Sequence, residues 1–208
     1  MNRLLFATGN EAKRLQLQFV ADACGYDAEV VSAYAAFPNL TAYPEDEHQP
    51  PEQIAENGAR LVFRQIQTPV AVEDTVIRIP YLEAQGLTGR HASGAYLFGR
   101  GLDGVLDDMS NAKRRDAVIV SAVAYHDGTQ VHTWRTTVEG RIAHAQRYRR
   151  GEPVWVGPTH DPHGGGYNTI FEVADTGRTL AEHTAAEGLH VGYREPNFRR
   201  LLQCWEVP

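Results

Sequence analysis

Short apolar runs alternate with polar, helix-spaced stretches from the first residues onward. RLLFAT at 3–8 is an apolar run of strand length. It breaks at Gly9-Asn10, and NEAKRLQLQFVADACG follows with Leu15, Phe19 and Val20 at helical spacing and Gly25 as a stop. AEVVSAY at 28–34 predicts a second strand, and FPNLTAYPEDEHQPPEQ at 37–53, rich in proline and acid, predicts a loop. Pro51 and Glu52 suit the first turn of a helix running to about Gln67. PVAVEDTVIRI at 69–79 predicts a strand pair or a single strand with a bend, and the glycine-rich segment 86–104 predicts irregular chain. Two β-rich runs within 117–143, joined by HDGTQ, predict a hairpin. TLAEHTAAEG and REPNFRRLLQCWE predict short helices near the end. Strand–helix–strand–helix, then a meander, then helices, gives the α/β class with a mixed sheet.

Composition narrows the classes. The 208 residues are 42% hydrophobic, enough for one sizeable core, so a single domain over 1–208 is expected. A net charge of −6 does not favour nonspecific binding to nucleic acid or membrane surfaces. No stretch approaches the ~20 apolar residues of a membrane span, and the opening residues have no signal-peptide pattern. Cys24 and Cys204 lie far apart, so a disulfide framework is not expected and a reducing cytoplasm is the simpler compartment.

The opening loop carries candidate chemistry. A strand that feeds a helix through a tight glycine turn gathers backbone N–H groups and the positive end of the helix dipole at one point. Thr8 and Asn10 add side-chain donors there, and Lys13 on the first helical turn reaches the same point. These residues suit an anion, most naturally phosphate; they also suit an Asn cap with a surface lysine. VAVEDT adds Glu73 and Asp74 inside an apolar strand. Buried carboxylates are costly unless paired or bound to metal, and strand alternation lets only one of the two face a given site. A carboxylate beside a phosphate site suits Mg²⁺, which takes oxygens from a few carboxylates, phosphates and water; solvated acids at a strand end are the alternative.

Taken in order, these segments resemble the inosine-triphosphate pyrophosphatase family, which hydrolyses non-canonical purine nucleoside triphosphates. ATGNEAK is similar to that family's Thr-Gly-Asn-x-x-Lys phosphate loop, and PVAVEDT to its central metal strand. GGGYNTIF at 164–171 resembles its Gly-Phe-Gly-Tyr-Asp-Pro-Ile-Phe base segment, RTLAE at 178–182 its Thr-Phe-Ala-Glu word, and GYREPNFRRLL falls where the family has Ser-His-Arg and a closing helix. The resemblance spans nearly the whole chain. It implies an elongated mixed β-sheet with flanking helices, two lobes around a central cleft, Mg²⁺ dependence, and a homodimer. It assigns Thr8, Gly9, Asn10, Lys13 and Arg194 to the phosphates, Lys13 and Asp74 to catalysis, and Asp74 with Glu73 to the metal.

The departures concentrate at the base and the metal. Positions Gly165, Tyr167, Asn168 and Tyr193 form the expected base site, with Gly165 where the family has a stacking Phe and Asn168 where it has an Asp. Asn both donates and accepts, whereas an ionised Asp only accepts, so the demand on the base edge changes. Ser-His-Arg becomes Gly192-Tyr193-Arg194, a metal glutamate falls on Ala42, and a second lysine falls on Gly58. The acids Glu45, Asp46, Glu47, Glu52 and Glu56 lie near that gap, and Glu52 is the replacement expected on the helix. GRGLDG at 99–104 follows no strand and is discounted as a dinucleotide loop. HDPH at 160–163 has no second ligand pair at zinc-finger spacing. The function expected is a Mg²⁺-dependent nucleoside-triphosphate pyrophosphatase with an altered base pocket; a nucleotide-binding relative without turnover is the alternative.

Overall fold

A computed structural model of the chain describes residues 2–46, 49–88, 93–157 and 166–205. In chain order its elements are β1 (Asn2–Phe6), α1 (Glu11–Cys24), β2 (Ala28–Ser32), α2 (Ala33–Ala36), α3 (Pro51–Ile66), β3 (Val70–Arg78), α4 (Pro80–Ala84) and α5 (Ser93–Asp108), followed by β4 (Asp116–His126), β5 (Val131–Ile142), β6 (Phe171–Val173), α6 (Ala185–Val191) and α7 (Glu195–Trp205). The described strands form one six-stranded sheet in the order β2-β1-β3-β4-β5-β6. β1 runs parallel to β2 and to β3, and β5 runs antiparallel to β6, so the sheet is mixed as expected.

The chain divides into two compact units. The first is Met1–Thr75, Ser121–Thr136 and Arg194–Pro208; the second is Val76–Val120 and Thr137–Tyr193. β3, β4 and β5 each run through both. In the first unit, strand alternation splits β1 between two layers. Leu5 and Ala7 pack with Ala55, Ala59 and Val62 of α3, whose small side chains let the helix sit close to the strands. Phe6 points the other way, edge-on to Phe198 of α7 at 6.0 Å. α1 ends at Gly25, whose φ of 78° is left-handed, with the N–H of Tyr26 returned to the carbonyl of Ala21 at 3.0 Å.

The core of the second unit includes Ile77, Leu82, Met109, Ile119, Ile170 and Phe171. Among the described residues buried Arg115 pairs with no carboxylate; its guanidinium donates to the carbonyls of Met109, Ile142 and Ala143 at 2.6–2.7 Å. At Gly140 on β5 a Cβ would overlap the Glu172 carbonyl and the Phe171 ring, so glycine is what lets β6 approach.

The boundaries differ from the sequence reading in three places. Residues 70–78 are one continuous strand, because Val70, Ala71, Val72 and Glu73 are all buried in the middle of the sheet. AEVVSAY stops being strand at Ser32 and turns into α2. Most of the stretch expected to be irregular is helix: Tyr96, Leu97, Leu102 and Leu106 pack on the core, and the glycines are absorbed in a single break at Gly101, φ 65° and ψ 169°. Asp108 ties the two halves by accepting from Tyr96 at 2.6 Å and Arg100 at 2.7 Å. The hairpin at HDGTQ forms as expected, with the Asp127 carboxylate accepting from the N–H groups of Thr129 and Gln130 at 2.7 and 2.8 Å.

Candidate active site

All the expected phosphate and metal residues lie in the first unit. β1 delivers the chain to a loop pinned beside β3 by the N–H of Ala7, which donates to the Ala71 carbonyl at 2.8 Å. Asn10 then caps α1, its Oδ1 accepting from the Lys13 N–H at 3.2 Å, and Thr8 Oγ1 accepts from the Asn10 N–H at 3.0 Å. Gly9 is exposed, with no atom within 4 Å of where a Cβ would stand. Asn10 and Thr8 therefore shape the loop as a cap, and Lys13 is not a loose surface lysine.

Lys13 reaches back to β3. Its Nζ lies 2.8 Å from Glu73 Oε2 and 3.3 Å from the Glu73 carbonyl. Arg194, just ahead of α7, donates from Nε to Glu73 Oε1 at 3.1 Å. Ser121 of β4 donates to the same oxygen at 2.9 Å, and Thr75 also donates to it. Oε2, by contrast, has Lys13 as an ion pair but no well-directed hydrogen bond among the described residues. Glu73 is only 3% exposed. Burial alone would raise its pKa, but Arg194 and then Lys13 outweigh it and hold the carboxyl at about 2.

Asp74, next along the strand, behaves in the opposite sense. Burial raises its pKa to about 6; Lys13 pulls it down, and the charges of Glu73 and Glu45 push it up. Tyr43 senses the same acids: burial first, then Glu45, Asp74 and Glu73, push its phenol well up. Its ring lies on the bare backbone of α3 at Gly58, where a Cβ would stand 3.0 Å from Cε2. The position where the family resemblance puts a second lysine is thus covered by an aromatic ring.

Several residues behind this cluster carried no sequence signal. Gln16 of α1 accepts from Arg194 Nη1 at 3.3 Å and donates to Glu195 Oε1 at 2.7 Å. Burial pushes the Glu195 carboxyl up, against hydrogen bonds from its own backbone and from Gln16. Asn197 holds Ser121 by donating to its carbonyl at 3.0 Å, and accepts in turn from Thr136 at 2.8 Å.

The other acids near the gap at Ala42 in the sequence are Glu45, Asp46, Glu47, Glu52 and Glu56. Glu52 pairs with Arg135 at 3.4 Å, and Glu56 accepts from Thr133 at 2.9 Å. Glu45 is the member of that group whose charge acts on Asp74. Glu47 lies outside the described residues. No group of three or more His, Cys, Asp or Glu side chains able to hold a metal occurs among the described residues. Mg²⁺ does not need one, since it commonly uses one or two carboxylates and completes its shell with phosphate and water. A half-buried acid short of positive charge, as Asp74 is, fits that arrangement.

The expected base residues lie in the second unit. Tyr167 and Tyr193 are 8% and 7% exposed and belong to its apolar core. Asn168 donates its amide to the carbonyls of Trp155 and Val156 at 2.9 and 3.2 Å, and its buried Oδ1 has no hydrogen-bond partner among the described residues. Gly165 and the two histidines of HDPH lie outside the described residues.

Comparison with known proteins gives one consistent result. The Ham1 family profile matches residues 4–204. A dITP/XTP pyrophosphatase of Methanopyrus kandleri is 29% identical over 206 residues, 98% of this chain and 96% of that protein. One from Thermococcus kodakarensis is 27% identical over 193 residues, 92% of this chain and 91% of that protein. The Ham1 protein of Staphylococcus aureus has the same fold at a TM-score of 0.68 and 17% identity, over 98% of this chain and 97% of that one.

Proposed function

The chain belongs to the Ham1 family, and on that premise we propose that it is a nucleoside-triphosphate pyrophosphatase, dependent on Mg²⁺, that releases a nucleoside monophosphate and pyrophosphate. The observation that carries the reading is the Lys13–Glu73–Arg194 cluster at the end of the opening loop. Two buried or half-buried cations converge on one carboxylate, and a phosphate oxygen matches that carboxylate in charge and in hydrogen-bond demand. Glu73 keeps Lys13 and Arg194 pointed inward; a triphosphate would share them. Gly9 would offer its backbone N–H to the anion, with Thr8 and Asn10 shaping the loop around it, since the Thr8 N–H donates to the Phe6 carbonyl and the Asn10 N–H to Thr8 Oγ1.

Asp74, with Glu73 beside it, is the proposed metal ligand. Glu45 joins them as an acid whose field reaches Asp74, with Glu52, which pairs with Arg135 at 3.4 Å, as the ligand expected on the helix. The ion, when bound, supplies charge to the phosphate oxygens and acidifies water. Asp74 in its ionised form can also orient the attacking water and take its proton, since an acid with a pKa near 6 is a workable base at neutral pH.

For the base, we propose that Asn168 reads it, together with the expected Gly165, Tyr167 and Tyr193, with selectivity changed from the family's. Among the described residues Asn168 Oδ1 has no donor, and a site built to hydrogen-bond one edge rejects analogues whose edge leaves it unpaired. A homodimer and a cytoplasmic setting complete the proposal; among the described residues no helix is long and apolar enough to cross a membrane.

The test is pyrophosphate release across inosine, xanthosine, adenosine, guanosine, cytidine and uridine triphosphates and their deoxy forms, with and without Mg²⁺. The expected result is Mg²⁺-dependent release, with inosine and xanthosine forms favoured by less than about a hundredfold, or 2.7 kcal/mol, in kcat/KM. Tight binding with no release from any nucleotide would instead identify a nucleotide-binding relative.

A further inference from the structure

We propose that Gln16 and Glu195 are positioning residues that aim Arg194. The inference rests on the phosphate role given to Arg194 above. A guanidinium is a rigid fork of donors on a long, rotatable stem, so its direction is set by the acceptors around it. Two side-chain acceptors of Arg194 are Glu73 Oε1, 3.1 Å from Nε, and Gln16 Oε1, 3.3 Å from Nη1. A bound phosphate competes with Glu73 for the same guanidinium. Gln16 is the acceptor that does not belong to the anion site and so can hold the arginine in place while it exchanges partners.

A glutamine amide has a donor end and an acceptor end, and turned over it would present N–H groups to the arginine. Glu195 decides which way it faces. Its Oε1 accepts from Gln16 Nε2 at 2.7 Å, and its Oε2 accepts from the backbone N–H of Arg194 at 3.2 Å. With an acceptor at its N–H₂ end, the Gln16 amide is satisfied in only one orientation, and in that orientation its oxygen meets Arg194.

Both residues are almost fully buried, Gln16 at 4% and Glu195 at 5% exposure. A buried polar pair is expensive compared with an apolar pair of the same shape. Filling the space under α1 and α7 does not require it; fixing the direction of an arginine does. One polar residue from α1 and the first residue of α7 therefore act as a single positioning device for Arg194.

A double-mutant cycle in kcat/KM for dITP hydrolysis with Mg²⁺ tests this. Gln16→Met keeps length and apolar packing but removes the amide. In the wild-type background it should lower kcat/KM by about tenfold, the loss of one hydrogen bond to a charged group. In an Arg194→Ala background it should lower it by less than about twofold, because it acts only through that arginine. Losses in the two backgrounds that differ by less than about threefold would overturn the proposal and make Gln16 a packing residue. If Gln16→Met does not fold, Glu195→Gln is put through the same cycle with the same criterion. An Arg194→Ala variant as fast as wild type would overturn the phosphate role of Arg194 and the positioning role with it. A slow Arg194→Ala without coupling would overturn the positioning role alone.

Discussion

Adjacent residues on one strand meet opposite electrostatic fates. Glu73 is buried between two cations and stays ionised, while Asp74 is half-buried with too little positive charge to offset its desolvation, and its pKa rises to about 6. The raised value has a direct consequence for stability. The folded chain holds a proton on Asp74 that the unfolded chain, with a pKa near 4, has already lost. Stability therefore falls as pH rises from about 4 to about 6 and stays lower above that. Asp74→Asn removes the penalty, so the variant should be more stable than wild type at pH 8 by about 1–3 kcal/mol and equal to it below pH 4. Urea midpoints at the two pH values measure this, and a variant less stable at pH 8 would mean that Asp74 is well paired. Lys13→Ala should weaken triphosphate binding by about 1.5–3 kcal/mol, the value of a charge-assisted contact; unchanged affinity in calorimetry would remove Lys13 from the site. The sequence marked this place through TGNEAK and the paired acids. It could not say which acid faces the cations, because alternation fixes only that the two point apart. Ser121 and Gln16 carried no signal, since their partners lie 48 and 179 residues away along the chain.

Elements with a strong local pattern appeared where the pattern put them. α1 has its Asn cap and glycine stop, and the hairpin has its Asp-Gly turn. α5 did not follow the sequence reading, because glycine counts as a breaker only until packing outweighs it. Tyr96, Leu97, Leu102 and Leu106 bury enough apolar surface to keep the segment helical on both sides of Gly101. The short strand β6 depends on a glycine instead. Gly140→Ala would drive a Cβ into the backbone of Glu172 as well as the ring of Phe171. Backbone cannot rotate away as a side chain does, so a loss of about 2–3 kcal/mol is expected. Thermal unfolding reads it, and a variant within about 0.5 kcal/mol of wild type would mean that β6 shifts freely.

At the scale of the whole molecule, the α/β class and the mixed sheet were visible in the order of runs, and the family in motifs spread along the chain. Two lobes were expected from the family resemblance alone; the pattern of runs did not show the division into two units, because β3, β4 and β5 pass through both without a linker or a change in composition. The proposed homodimer would double the 23.1 kDa chain mass, and light scattering at micromolar concentration would contradict it by returning the monomer. The central claim concerns which bond breaks. Cleavage between the α- and β-phosphates gives monophosphate and pyrophosphate, whereas loss of the γ-phosphate gives diphosphate and inorganic phosphate. Phosphorus NMR of a dITP reaction with Mg²⁺ distinguishes them directly. Monophosphate and pyrophosphate in equal amounts, slowed by both Lys13→Ala and Arg194→Ala, is the result predicted here; diphosphate with free phosphate, or products formed at the wild-type rate by both variants, would contradict it.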